Sequence, residues 1–207
     1  MRVLFLSPHT DDIELGAGGT LIRLINKKND VLVAVFSTCN DAVPKGMPKN
    51  ALKKEFINSM REAGVKSYRI LNFQNKNFPK QRQEILDKMT EILKDFNPEL
   101  VIGPSLNETH QDHKTIAEEM IRCFKKTASI ISYEQPWNNL NFKPTMFVKL
   151  KEEEIKKKIS LLRNYKTQFM LKRAYFSEEF IRALAIVRGI QSGNEYAEAF
   201  EVIRWQI

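Results

Sequence analysis

A chain of 207 residues is long enough to bury the core of one ordinary domain, and its 43% hydrophobic content excludes an intrinsically disordered protein. The net charge of +8 comes from 33 basic and 25 acidic residues that are interspersed along the chain, which argues against a nucleic-acid-binding protein with one basic face. The first apolar run stops at Ser7, too early for a signal peptide, and no run approaches the roughly 18 residues that span a membrane, so we predict a cytoplasmic protein without membrane insertion.

Strand and helix patterns alternate through the first 124 residues. Leu21, Leu24 and Ile25 recur at the spacing of one buried helix face, and the β-branched run 31–38 is typical of a strand buried on both faces. The predicted strands are 2–7, 31–38, 68–73 and 99–103, and the predicted helices are 16–28, 52–64, 85–96 and 115–124. Four such units predict an α/β fold of three layers, with a Rossmann-like, mostly parallel sheet and helices on both faces.

The rest of the chain has a less regular pattern. It predicts strands over 129–134, 146–150 and 200–205 and helices over 152–165 and 178–188. Because no linker or repeat interrupts the pattern, we expect one domain over residues 1–207. Cys39 and Cys123 are far apart and form no metal-binding or disulfide pattern, so both are expected to be free thiols.

The residues that can carry chemistry gather in two loops. In an open α/β sheet, ligands bind at the carboxyl ends of the strands, which here lead into loops 8–15, 39–49, 74–79 and 104–113. The chain has three histidines, and all fall in these loops together with three aspartates: His9, Asp11, Asp12, His110, Asp112 and His113.

Imidazole and carboxylate ligands without thiolate suit a catalytic Zn²⁺ that keeps one position for water, although Fe²⁺ or Mn²⁺ could occupy the same site. Of the two adjacent aspartates, one can bind the ion while the other acts as a general base. A remaining histidine can protonate the leaving amine or stabilise the oxyanion. This set of residues predicts metal-assisted hydrolysis of an amide. The alternative for Asp11 and Asp12 is that they cap the following helix.

The segment Gly16-Ala17-Gly18-Gly19 follows the first strand, as a dinucleotide-binding motif would. The third glycine of that motif would fall at Leu21, and the preceding loop is too long and too acidic for a pyrophosphate turn. We therefore predict that these glycines let the helix approach the sheet closely.

Two motifs resemble the PIG-L/LmbE-like family of zinc-dependent N-acetyl-sugar deacetylases. The first runs Pro8-His9-Thr10-Asp11-Asp12-Ile13-Glu14-Leu15-Gly16-Ala17-Gly18-Gly19, and the second is His110-Gln111-Asp112-His113. Thr10 and Gln111 stand where the family commonly has proline, and Glu14 lies one place later than usual.

The resemblance implies a role for each residue of the two motifs. His9, Asp12 and His113 would bind the metal, and Asp11 would be the general base. His110 would be the acid or oxyanion stabiliser, with Asp112 orienting it.

The resemblance extends to segments further along the chain, which would either line the substrate side of the pocket or form ordinary helix and strand packing. Tyr165-Lys166-Thr167-Gln168 is similar to a downstream family motif, and residues 189–200 are similar to the closing segment. Trp137 lies in a polar, aromatic loop that could stack on a sugar ring or form a structural turn. The expected substrate-binding residues are therefore Lys166, Gln168, Tyr196 and Glu198 from the resemblance, and Trp137 from the character of its loop.

The predicted function is removal of the N-acetyl group from a small N-acetylated amino sugar or its conjugate. Three hypotheses compete with it: an amide hydrolase of the same fold acting on an antibiotic or thiol conjugate, a metal-stabilised binding protein without turnover, and a basic nucleic-acid module. The resemblance also allows a homo-oligomer.

Overall fold

The computed structural model of the protein describes residues 1–206. In its first part, strands and helices alternate as β1 (Arg2–Ser7), α1 (Asp12–Asn26), β2 (Asp30–Val35), α2 (Ala51–Ala63), β3 (Ser67–Ile70), α3 (Arg82–Phe96), β4 (Leu100–Pro104) and α4 (Gln111–Phe124). The second part adds β5 (Ser129–Tyr133), β6 (Met146–Leu150), α5 (Glu152–Leu162), α6 (Lys166–Met170), α7 (Glu178–Gln191) and β7 (Tyr196–Arg204). Short 3₁₀ turns lie at Phe78–Lys80 and Ala174–Phe176.

The strands form one seven-stranded sheet in the order β3-β2-β1-β4-β5-β7-β6. The first five in this order pair in parallel, while β7 runs antiparallel to both β5 and β6. The direction of strand order reverses between β1 and β4, and the crevice at the carboxyl ends of such a strand pair is where open α/β sheets bind ligands.

Alternating residues of β1 face two separate hydrophobic cores, because successive side chains of a strand point to opposite faces. Phe5 packs on one face in a core that includes Phe56 of α2 and residues of α1. Leu6 packs on the other face with Met89 of α3 and Met120 of α4. The predicted three-layer α/β fold with a mostly parallel sheet is confirmed. None of the helices within residues 1–206 combines the length and apolar character that a membrane crossing requires.

Helix α1 packs closely on the sheet through its glycines. A Cβ atom at Gly16 would lie 2.4 Å from Tyr133 Cδ2, and one at Gly19 would lie 2.4 Å from Leu150 Cδ1. The predicted close approach of this helix to the sheet is therefore confirmed. Between the two glycines the helix is kinked, since Ala17 has the non-helical angles φ −146° and ψ 21°.

Several boundaries differ from the predicted ones. Helix α1 begins at Asp12 and helix α4 at Gln111, each four residues earlier than predicted. The first turn of α4 is polar, and in that of α1 acidic residues alternate with Ile13 and Leu15, so neither turn shows the apolar periodicity of a helix. Strand β7 begins at Tyr196, also four residues earlier, and the short helix α6 was not predicted.

Candidate active site

The three histidines meet at the carboxyl ends of β1 and β4. His9 lies in the loop after β1, and Asp12 is the first residue of α1. His110 is the N-cap residue of α4, and His113 lies in its first turn. The prediction that His113 lies in a loop is corrected, because the helix starts before it and directs its side chain to the sheet edge.

Three donor atoms form a small triangle at this edge. His9 Nδ1 is 3.1 Å from His113 Nε2, and Asp12 Oδ2 is 3.3 Å from the first and 3.4 Å from the second. Two ligand atoms of a tetrahedral zinc ion with bonds of about 2.0–2.1 Å lie about 3.3–3.4 Å apart. The spacing and the chemistry of these donors therefore fit one divalent ion of this size.

His110 offers a second way to complete a donor set. Its ring and those of His9 and His113 each have a nitrogen within 4.8 Å of the others, so the three histidines could hold a metal ion. His110 Nδ1, however, accepts a hydrogen bond from the backbone N–H of Asp112 at 3.2 Å. We favour Asp12 as the third donor because its distances match those of a coordination sphere and it carries a negative charge.

His9 and His113 each have a buried carboxylate beside the ring nitrogen that lies outside the donor triangle. Asp112 Oδ2 is 3.2 Å from His9 Nε2, and Glu108 Oε2 is 3.3 Å from His113 Nδ1. Both carboxylate side chains are fully buried. The contact of Asp112 with His9 has hydrogen-bond geometry, whereas that of Glu108 with His113 is a close contact without a hydrogen bond. A carboxylate beside an imidazole restricts the orientation of the ring and directs its other nitrogen to a metal. The sequence analysis missed Glu108, which no motif distinguishes from a loop residue.

The carboxylate of Asp112 does not contact His110, which corrects the expectation that it orients this histidine. Its oxygens accept hydrogen bonds from the backbone N–H groups of Lys76 at 2.6 Å and Phe78 at 3.2 Å. These bonds hold the carboxylate against His9, and only the backbone of Asp112 reaches His110.

The surroundings of His110 disfavour its charged form. Burial, with His113 and His9 beside it, lowers the pKa of His110 to about 4. Since its Nδ1 accepts the bond from Asp112, the neutral ring carries its proton on Nε2.

The pKa values of the adjacent Asp11 and Asp12 carboxyl groups are shifted in opposite directions. Burial and the neighbouring charge of Asp12 raise the pKa of Asp11 to about 6. Burial also opposes ionisation of Asp12, but His113, His9 and the amide of Gln135 outweigh it and lower its pKa. Asp11 makes no capping bond to α1, so the capping alternative does not account for its side chain.

A cavity of about 310 Å³ opens over the donor triangle. It is lined by the triangle residues, Asp11 and His110, by residues of the loops after β2 and β3 such as Cys39 and Lys76, and by Gln135, Arg173 and Tyr175. Gln135 belongs to the polar, aromatic loop that contains Trp137, whereas no recognisable motif marks Arg173 and Tyr175.

Two of the five expected substrate-binding residues line this cavity, namely Trp137 and Gln168. Lys166 is exposed on α6 and does not line it. Tyr196 lies at the start of β7, where the neighbouring Glu152 carboxylate raises the pKa of its hydroxyl. Glu198 is buried under α1 and forms an ion pair of 2.7 Å with Lys158. These three residues lie outside the cavity lining, and their contact with substrate stays a prediction.

The segment Tyr165–Gln168 joins the metal loop to the cavity wall. The Tyr165 hydroxyl lies 2.5 Å from the Thr10 carbonyl oxygen and 2.6 Å from Glu14 Oε1. Its neighbour Thr167 donates to Glu55 at 2.6 Å. Tyr165 therefore supports the loop, Thr167 ties the segment to α2, and Gln168 faces the cavity.

Comparison with known proteins identifies several similar chains. Residues 4–124 match the PIG-L family, described as GlcNAc-PI de-N-acetylase. The uncharacterised deacetylase YaiS of Escherichia coli is 26% identical over 80% of this chain and 90% of its own. The diacetylchitobiose deacetylase of Thermococcus kodakarensis is 24% identical over 98% of this chain and 83% of its own.

Solved structures share the fold. The N,N'-diacetylchitobiose deacetylase of Pyrococcus horikoshii superposes with a TM-score of 0.81 at 22% identity, covering 98% of this chain and 83% of its own. The 4-carboxy-2-hydroxymuconate hydratase GalB of Pseudomonas putida gives 0.78 at 18% identity, covering 100% and 97%. Because a hydratase and a deacetylase both have this fold, the reaction has to be argued from the site.

Proposed function

This chain belongs to the PIG-L family, and from that membership we propose that it is a metal-dependent hydrolase that removes the N-acetyl group from an amino sugar. The observation that carries the proposal is the triangle of donor atoms from His9, Asp12 and His113, with Asp11 beside it in an open cavity. The deacetylases among the similar proteins, including two named for an acetylated disaccharide, support the same reaction and substrate class.

His9, Asp12 and His113 would hold the ion, and zinc is our first choice because two imidazoles and one carboxylate leave a fourth position for water. Fe²⁺ would fit the same nitrogen and oxygen donors. When bound, such an ion polarises the amide carbonyl and lowers the pKa of a water molecule.

Asp11 is the general base of the proposed reaction. Its carboxylate lines the cavity and makes no capping bond, so it is available to take a proton from water as the oxygen adds to the amide carbon. The same carboxyl group then gives that proton to the nitrogen as the C–N bond breaks. The products are acetate and the free amine of the sugar.

His110 stabilises the oxyanion that forms when water adds to the carbonyl. The bond to its Nδ1 leaves the Nε2 proton as the donor, and a neutral ring suits donation of a hydrogen bond better than transfer of a proton. Of the two roles that the resemblance implies for His110, its low pKa supports this one.

Two substitutions test the proposal. Asp11→Asn should retain the metal but lose about 10²- to 10⁴-fold in kcat, because the base is removed. His113→Ala should lose the metal itself. Metal content is measured by elemental analysis and turnover by acetate release from N-acetylglucosamine derivatives. Asp30→Asn is the matched control, since Asp30 is exposed at the opposite end of the sheet.

The substrate panel should include non-sugar amides. Full activity of the Asp11→Asn variant would overturn the role of the base. If acetate were released only from non-sugar amides, the substrate would be a non-sugar amide and not an amino sugar. A fully metal-loaded protein that hydrolyses none of the panel would favour a binding function.

A further inference from the structure

Resting on the proposed deacetylase function, we propose that the substrate carries an anionic substituent, a carboxylate or a phosphate, and that Arg173 and Lys76 bind it. Both residues are exposed and line the active-site cavity, so they lie where it opens to solvent. The proposal names the chemical class of the group attached to the N-acetylated sugar.

The cavity has its negative charges at the catalytic centre and its positive charges elsewhere in the lining. Its only carboxylates among the described residues are those of Asp11 and Asp12, which belong to the catalytic centre. The other charged side chains, Lys76 and Arg173, are both cationic. A substrate group outside the catalytic centre therefore meets positive charge, and the net charge of +8 favours the approach of an anion.

Arg173 has no carboxylate partner within the part of the chain that the structure describes, unlike most arginines of this protein. Eight others form ion pairs: Arg2, Arg23, Arg69, Arg82, Arg122, Arg163, Arg182 and Arg188. A guanidinium that faces a cavity without a partner is available to a ligand, and its planar fork matches a carboxylate or a phosphate.

Arg173 is also held in place. One of its terminal nitrogens donates to the Tyr175 hydroxyl, and its guanidinium carbon lies 5.7 Å from the centroid of the Tyr175 ring. That ring stacks on Trp137, with centroids 4.0 Å apart and an interplanar angle of 8°. Because a stacked aromatic pair restrains the guanidinium, less conformational entropy is lost when its remaining N–H groups bind an anion.

Lys76 is anchored to the catalytic centre through its backbone. Its N–H donates to Asp112 Oδ2 at 2.6 Å, and its carbonyl oxygen accepts a hydrogen bond from the Gln111 side chain. The residue has a φ of 62°, an uncommon value for a residue other than glycine. These contacts fix the Cα atom, so the ammonium group ranges over a limited part of the cavity opening.

The test uses three N-acetylglucosamine glycosides that differ only in their substituent: neutral, carboxylate-bearing and phosphate-bearing. We expect kcat/KM of the metal-loaded enzyme to be higher for an anionic substrate than for the neutral one. Arg173→Gln should lower the ratio of kcat/KM for that anionic substrate to kcat/KM for the neutral one about 10- to 100-fold, since a hydrogen-bonded charge pair is lost. Lys76→Gln should act in the same direction. Arg204→Gln is the control, because Arg204 is exposed and forms no ion pair in the described chain.

Binding to the metal-loaded Asp11→Asn variant, measured by calorimetry, separates this inference from the proposed function. Tighter binding of an anionic glycoside that is lost on adding Arg173→Gln would support the anion site even if no substrate were hydrolysed. Whichever anionic glycoside gains more affinity over the neutral one identifies carboxylate or phosphate as the preferred group. Equal affinity for all three glycosides, or a gain that survives Arg173→Gln, would overturn the inference.

Discussion

Replacing Glu198 by glutamine is expected to destabilise the fold without weakening substrate binding. The Glu198 carboxylate is buried where α1 is kinked, and four groups donate to it. They are the backbone N–H groups of Gly19 at 2.9 Å and Thr20 at 2.7 Å, the Thr20 hydroxyl at 2.6 Å, and the Lys158 ammonium at 2.7 Å.

The same ammonium donates to the Leu15 carbonyl oxygen at 2.8 Å. Glu198 and Lys158 thus bind backbone groups on the two sides of Ala17, where the regular hydrogen bonding of α1 is interrupted. Such a pair supports a kink that would otherwise leave buried polar groups without partners.

Glutamine at position 198 would offer one oxygen instead of two and would turn an N–H₂ group toward groups that are themselves donors. Lys158 would remain buried without its counter-ion. Loss of one member of a buried ion pair costs about 3–5 kcal/mol, and we expect the free energy of unfolding to fall by that amount. Among molecules that remain folded, KM should not change, because Glu198 does not line the cavity.

Urea unfolding gives the stability change, and acetate release gives KM. The control is Glu153→Gln, since Glu153 is exposed on α5 and has no ion-pair partner within residues 1–206; it should change stability by less than about 0.5 kcal/mol. If Glu198→Gln unfolded like the wild type and instead raised KM about tenfold, the structural role would be refuted and substrate contact would be the better account.

Two further predictions concern the metal. Glu108→Gln should weaken zinc binding about 10- to 100-fold, measured by competition with a chelator, because the imidazole of His113 loses the carboxylate that orients it; unchanged affinity would contradict that role. Removing the metal should lower the unfolding free energy by about 2.7 kcal/mol relative to protein at a free zinc concentration of 100 times Kd. Identical unfolding curves for the two forms would show that no ion binds the folded state preferentially.

The order of strands and helices could be predicted because each element carries its own local pattern. The antiparallel insertion of β7 between β5 and β6 could not, since pairing between distant strands leaves no local signal. The starts of α1 and α4 were placed four residues late for a related reason. The first turn of α4 is polar, and that of α1 alternates acidic residues with Ile13 and Leu15, so neither turn shows the apolar spacing of a helix.

The candidate metal ligands could be anticipated because all lie within two short motifs. Their supporting contacts could not. Asp112 contacts His9 instead of its neighbour His110 because the loop after β3 supplies the N–H groups that hold its carboxylate. The fold brings Arg173 to the cavity, and no motif in the neighbouring sequence indicates that it lies there.

In the first motif, the glycines of α1 help to position the carboxylate of Asp12. Gly16 lies against Tyr133 and Gly19 against Leu150, so α1 reaches the sheet at distances that a Cβ would prevent. The kink at Ala17 lets the first turn of α1 take a direction different from the rest of the helix. Asp12 belongs to that first turn, and its Oδ2 lies 3.3 Å from His9 Nδ1. The glycines that suggest a nucleotide-binding loop therefore help to place the Asp12 carboxylate, because they let the buried side of the helix pack closely on the sheet.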